Sequence, residues 1–262
     1  MGELQYHIRV KPGDVGEAVL LPGDPGRVES IAKLLDHPRL IARNREFTTY
    51  TGELDGRAVS VTSTGIGSPS TAIAVEELAA IGAKTFIRVG TTGSIQQQVH
   101  FGDLVVATAA VRDEGTTPGY VPVSYPAVAD WQLVQGMMAA GAALKHRTHA
   151  GIVRSHDSLY ADLHAAQMPR REELENALQV WHRAQVLCND MESSTIFVLC
   201  SLRGLRGGSI LTVVNEPGEA DIDPNQVAAL DLTPMFRVAL DAVRRLAHVT
   251  TSGSRDFPRV KT

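Results

Sequence analysis

Cysteine, aromatic residues and an excess of either charge are what this chain has little of, and each shortage closes a class of function. Its 262 residues include only Cys188 and Cys200. That is too few for a disulfide framework and the wrong spacing for a CxxC metal or redox motif, so a reducing compartment, the cytoplasm, is expected. Aromatics make up 5% of the chain and the formal net charge is -4. No basic footprint and few stacking platforms remain for a nucleic-acid polymer. The opening MGELQYHIRV has neither the basic nor the apolar run of a secretory leader, and no stretch of about 18 apolar residues provides a membrane span. There is no internal repeat, low-complexity tract or Pro/Ser-rich linker. The length suits one α/β domain with a well-buried core over residues 1–249, and the polar, Gly/Ser-containing segment 250–262 reads as a flexible tail.

What the chain does have is alternation. Short β-branched runs are predicted as strands at Ala18–Leu21, Ala58–Thr64, Thr85–Val89, Asp103–Thr108, Gly151–Ser155 and Ser209–Val214. Several are apolar throughout, as central strands covered on both faces should be. Between them lie segments with helical apolar spacing. Asp24 before Pro25 predicts a helix over Pro25–Leu35, Ser68 before Pro69 one over Pro69–Ile81, and Thr233 before Pro234 a final helix to about Ala247. This is the layered α/β class, a mostly parallel or mixed sheet with helices on both faces.

Three clusters carry chemistry. Leu21-Pro22-Gly23-Asp24-Pro25-Gly26-Arg27 leads from a strand through glycines into a helix start, where backbone N–H groups and a forked guanidinium suit an anion; the same residues also describe an ordinary turn. In Phe86-Ile87-Arg88-Val89-Gly90-Thr91-Thr92-Gly93 an arginine interrupts an apolar strand and a Gly-Thr-Thr-Gly turn is expected to follow. A buried arginine demands an anionic partner, either an internal carboxylate or a bound phosphate. Hydroxyls of Thr91 and Thr92 at a strand's C-terminal edge sit where open α/β sheets hold ligands. In Asn189-Asp190-Met191-Glu192-Ser193-Ser194, Asp190 reads as a helix cap for an apolar helix over Thr195–Cys200. Glu192 reads as a carboxylate able to accept hydrogen bonds from sugar hydroxyls in a cleft.

Taken together with Arg45-Glu46-Phe47-Thr48-Thr49 and Ser63-Thr64-Gly65-Ile66-Gly67, these motifs resemble, in order and from about His7 to Leu246, the hexameric nucleoside phosphorylases, on the uridine phosphorylase side. The resemblance implies a single-domain three-layer α/β/α sandwich with a central mixed sheet, phosphorylase/hydrolase-like. It implies phosphate held by Gly23, Arg27, Arg88 and Thr91, with Arg45 reaching in from a neighbouring subunit. Ribose would lie against Thr91, Met191 and Glu192, with the neighbour's His7 near the 5′-hydroxyl. The implied catalytic set is Arg27, Arg88 and Glu192. The implied base-side residues are Thr92, Gly93, Leu159, Asp162, Asn215 and Glu216. Glu46, Ile66 and Ser70 match a monovalent-cation (K+) site at a dimer interface. No organic cofactor is implied, phosphate being a substrate, and the assembly would be a homo-oligomer, a hexamer built as a trimer of dimers.

The chain departs from the family pattern where the base is read. Leu159 stands where an aromatic usually packs on the base, and the usual Gln/Arg pair is absent, with Asp162 and His164 nearby. Asn215-Glu216 replaces both the Asn-Arg of the uridine branch and the acidic pattern of the purine branch. A carboxylate there would repel the charge developing on a departing pyrimidine unless protonated or turned away. The expected reaction is phosphorolysis of uridine to uracil and ribose 1-phosphate. The alternatives are a purine nucleoside phosphorylase, a nucleosidase and a non-catalytic nucleoside-binding protein.

Overall fold

A computed structural model describes residues 3–219 and 221–249. The predicted tail over 250–262 lies outside them. The strands are β1 (Ala18–Leu21), β2 (Asp36–Asn44), β3 (Phe47–Leu54), β4 (Arg57–Thr62), β5 (Thr85–Ser94), β6 (Leu104–Asp113), β7 (Ala127–Val128), β8 (Thr148–His156), β9 (Cys188–Asp190) and β10 (Arg206–Asn215). The α-helices are α1 (Val28–Ala32), α2 (Ser68–Ala80), α3 (Trp131–Ala143), α4 (Leu159–Leu163), α5 (Arg171–Arg183), α6 (Ser193–Leu202), α7 (Pro224–Ala229) and α8 (Thr233–Val249).

All the strands join one mixed sheet in the order β10-β6-β8-β9-β5-β1-β4-β3-β2, with β7 beside β6. β1 runs parallel to β4 and β5, whereas β5 meets β9 antiparallel. Because β10 also pairs with β5, the strands β5, β10, β6, β8 and β9 close into a ring, and β1, β4, β3 and β2 extend from it. Helices cover both faces, as alternate residues of β10 show. A side chain at Gly207 would meet Cys200 and Ile196 of α6, whereas one at Gly208 would meet Leu133 and Met137 of α3. On the α6 side Ser209 Oγ hydrogen-bonds Ser193 Oγ, and on the opposite side Thr212 reaches Met235 of α8. The layered, mixed-sheet architecture expected from the alternation is therefore present, and Ser193 through Cys200 of α6 are all buried.

Local details differ from expectation. The Gly-Thr-Thr-Gly segment is not a turn, since β5 continues through it to Ser94 and pairs with β10 as far as Gly93. Pro25–Leu35 is a 3-10 turn over Pro25–Arg27 followed by the short α1. Asp24 does cap it, accepting from Gly26 N at 2.7 Å. Ser68 is not a cap; Gly67 takes that place, and Ser68 Oγ instead donates to the Met191 carbonyl at 3.1 Å. The hairpin of β2 and β3 was not among the predicted strands.

Candidate functional site

A cleft of about 640 Å³ opens at the ends of β1, β5, β8 and β10 and is floored by the segment entering α6. At one end lie Gly23, Asp24, Arg27, Arg88 and Thr91, brought together because Leu21 of β1 is in register with Arg88 of β5. Arg88 is buried and held from below. Its Nε donates to Asp190 Oδ2 at 2.9 Å, and its Nη2 lies 2.6 Å from Glu192 Oε2. The internal-carboxylate reading of this arginine is thus correct as far as it goes. Its remaining nitrogen, Nη1, lies toward Gly23 and has no partner among the described residues. Burial alone would lower the Arg88 pKa, but Glu192 and Asp190 more than offset it, and the guanidinium stays charged. Arg27 is pushed the other way, with burial the larger cause and repulsion from Arg88 adding to it, while Asp24 at 3.8 Å compensates only in part. Two arginines that disfavour each other beside a glycine turn form an arrangement that a dianion relieves.

Asp190 is the scaffold of this end. Oδ2 accepts from Ser193 N at 2.9 Å and from Ser193 Oγ, and Oδ1 accepts from Ser155 Oγ at 2.6 Å. The cap position of α6 expected for Asp190 is held by Glu192, without a side-chain bond, and Asp190 serves the first helical N–H from two residues ahead of it. Glu192 is aimed differently. Oε1 accepts from Gly67 N at 2.6 Å, but the approach of Arg88 to Oε2 is too oblique for a hydrogen bond, so that buried oxygen keeps an unused acceptor in the cleft lining. Burial raises the Glu192 pKa against the opposing pull of Arg88. Met191 lines the same stretch. Thr91 keeps its hydroxyl for the cleft, whereas the Thr92 hydroxyl is committed to the Asn189 carbonyl.

The far end is formed by Gly93, Ser94, His156, Leu159, Asp162, Leu163, Asn189 and Asn215. Asp162 is not a free base-side carboxylate, since Arg154 Nη1 holds its Oδ2 while Arg154 Nε donates to Asp113 Oδ2 at 2.7 Å. His164 lies outside the cleft lining, 3.0 Å from Asp221. Asn215 lines the cleft with its Nδ2 donating to Glu219 Oε2 at 3.1 Å. Glu216 does not line it; its Oε1 turns away to accept from Phe101 N at 2.8 Å. Its expected base-side place is corrected accordingly, since neighbouring residues at a strand end face opposite ways. The expected repulsion of a departing base disappears with it. His156 and Arg154 were missed, and Asn189, which opens the third motif, was given no role. A charged residue and an imidazole inside the otherwise apolar run Gly151-Ile152-Val153-Arg154-Ser155-His156 were the available signal.

His7 and Arg45 do not line their own chain's cleft. Arg45 is exposed at the β2–β3 turn. His7 is pinned by Glu77, which accepts from the backbone of His7 and Ile8 and lies 2.6 Å from His7 Nδ1. Glu46 and Ile66 sit at the cleft, and Ser70 Oγ donates to Glu46 Oε1 at 3.0 Å and to the Thr64 carbonyl.

A sequence model of the phosphorylase superfamily matches residues 17–247. The chain belongs to that superfamily. It is 41% identical to a uridine phosphorylase of Treponema pallidum over 98% of this chain and 97% of that protein. It is 46% identical to a uridine phosphorylase of Thermococcus kodakarensis over 98% of this chain and 92% of that one. A guanosine phosphorylase of Halorubrum lacusprofundi is 38% identical over 92% of this chain and 99% of its own length. The superfamily match covers the whole sheet and every residue of the cleft.

Proposed function

We propose that this protein is a pentosyltransferase that cleaves the N-glycosidic bond of uridine with inorganic phosphate, giving uracil and ribose 1-phosphate. The observation that carries the reading is the pair Arg27 and Arg88 at a glycine-built end of the cleft, with Arg88 offering an Nη1 that has no partner among the described residues. A phosphate there would be aligned beneath the sugar, so that attack becomes effectively intramolecular. Its oxygen bonds to the anomeric carbon as the carbon–nitrogen bond breaks, and the electron pair leaves with the base. The proton carried in on hydrogen phosphate balances the one the base regains. Positive charge on the ring at the transition state faces the phosphate, and Glu192 Oε2 accepts from a ribose hydroxyl. The uridine phosphorylases of Treponema and Thermococcus support the choice of base.

In the same reading Arg45 and His7 act on a neighbouring subunit's site, within a hexamer. Glu77 fixes the His7 ring so that Nε2 can meet a 5′-hydroxyl. Glu46, Ser70 and the Ile66 carbonyl form an all-oxygen set suited to K+, a role compatible with the Ser70–Glu46 bond and needing no transition metal. Residues 1–249 act as one domain, in cytoplasmic pyrimidine salvage. The test is release of free base from uridine, thymidine, inosine and guanosine, with and without phosphate. Phosphate-dependent uracil release is expected. Hypoxanthine or guanine release would move the assignment toward the guanosine phosphorylase, and release without phosphate would make it a nucleosidase.

A further inference from the structure

His156 ends β8 inside the cleft, 3% exposed, and neither ring nitrogen has a hydrogen bond among the described residues. Nδ1 is sealed from solvent, and its charged neighbour is Asp162 Oδ2 at 3.6 Å. A buried imidazole without partners is costly, and such groups are rare in native proteins unless a ligand supplies the missing bond. The sheet fixes what that ligand part is. Ser155 is level with Asp190 of β9, and Asn189 of β9 is level with Gly93 of β5. His156 therefore stands two strand spacings, about 10 Å, from the strand carrying Arg88 and Thr91. That is too far to touch the phosphate and about right for the base across the ribose.

Charge settles the state of the ring. Burial pushes its pKa down, Arg154 acts in the same direction, and the opposing pull of Asp162 is smaller than the burial effect, so the imidazole is neutral. Asp190 and Asp113 pull with Asp162 and do not reverse the outcome. Asp162 is itself paired with Arg154 and lies on the Nδ1 side of the ring. A carboxylate beside Nδ1 favours the tautomer protonated there, leaving Nε2 as an acceptor on the side of the ring that meets the cleft.

Resting on the phosphorylase reading, we infer that His156 reads the base, its Nε2 accepting from the ring N–H that lies next to a carbonyl in oxo bases. Uracil, thymine, hypoxanthine and guanine present that donor. Cytosine and adenine present a bare ring nitrogen, an acceptor facing an acceptor. One residue then serves what uridine and guanosine have in common, and Arg154 and Asp162 are positioning residues that set its tautomer.

The experiment compares wild type with His156→Phe and His156→Gln on uridine, cytidine, guanosine and adenosine at saturating phosphate, with phosphate KM measured separately. His156→Phe should lose roughly 10- to 100-fold in kcat/KM for the oxo nucleosides, mostly through nucleoside KM, the cost of one unmade buried hydrogen bond. Phosphate KM should not move, discrimination against cytidine should collapse, and His156→Gln, which keeps an acceptor, should recover part of both. Unchanged discrimination in His156→Phe would overturn the assignment. Calorimetric binding of free uracil against free cytosine to wild type and His156→Gln covers a variant that fails to fold. It also separates the two claims. Wild type that binds uracil over cytosine but releases no base with phosphate would sink the phosphorylase reading alone; equal binding of both bases would sink the histidine.

Discussion

Arg88 is asked to do two things at once, and its substitutions should separate them. It neutralises Asp190 and Glu192 below the cleft floor while presenting Nη1 above it. Arg88→Ala strands two buried carboxylates and should cost about 3–5 kcal/mol of stability, seen as a lower denaturant midpoint, along with loss of phosphate-dependent turnover. Arg88→Lys retains the charge without the fork, so the fold should survive while phosphate KM rises; equal phosphate KM in wild type and Arg88→Lys would show that no phosphate meets this residue. Glu192 carries a pH signature. Its folded-state pKa is raised by burial, so between the ordinary carboxylate range and that raised value the folded chain binds more protons than the unfolded one. Stability then falls as pH rises through this window. Glu192→Gln should flatten that fall in thermal melts of the ligand-free protein while sharply lowering kcat. The thiols are silent by the same physics. Burial pushes Cys188 up to about 12 and raises Cys200 as well, so iodoacetamide should label neither at neutral pH until denaturant is added.

At the scale of elements, two glycines decide whether β5 and the start of α2 can present the site. A Cβ at Gly90 would lie 2.7 Å from Arg88 Cζ and Nη2, so the guanidinium folds back over bare backbone. Gly67 has φ +94 and donates its N–H to Glu192 Oε1. Gly67→Ala should cost of order 1–3 kcal/mol through backbone strain and loosen Glu192, raising nucleoside KM. Gly90→Ala should raise phosphate KM instead, and the reverse pairing of effects would contradict the geometry. These elements were legible in the sequence to different degrees. Apolar runs betrayed β1, β4, β5, β6, β8 and β10, and Pro at a helix start marked α2 and α8. β2 and β3 escaped because β2 is mostly exposed and β3 buries threonines, not alternating apolar residues. Thr49 pairs with Thr62 at 3.1 Å and Thr51 with Ser60 at 2.8 Å across to β4, a polar ladder that hydropathy cannot see. The Arg27–Arg88 end of the cleft was readable because its glycines and arginines sit in two short contiguous stretches, 22–27 and 87–93. The far end was not, because the direction of Glu216 depends on Phe101, distant in sequence, and the isolation of His156 depends on Arg154 holding Asp162.

For the whole molecule, the decisive question is whether one chain completes a site. Its own cleft gathers Arg27 and Arg88 but neither Arg45 nor His7, although Glu77 orders the segment carrying His7. Exposed apolar side chains such as Tyr6, Trp131 and Tyr160, at 66% each, provide surface for a neighbour to cover. If Arg45 acts across a two-fold interface, Arg45→Ala and Arg88→Lys, assayed at limiting phosphate, should each be crippled alone yet complement each other when co-expressed. In a mixed dimer one site receives a normal Arg88 from its own chain and a normal Arg45 from its neighbour, while the other site lacks both. Random pairing makes half the dimers mixed, so about a quarter of wild-type activity should return. Reconstituted activity has to come from mixed assemblies, and because nearly every hexamer of three such dimers carries both tags, differently tagged chains purified in tandem should show about the same quarter of wild-type activity. No recovery in that tandem-purified fraction would place Arg45 outside the neighbour's site and leave each chain to bind phosphate with Arg27 and Arg88 alone.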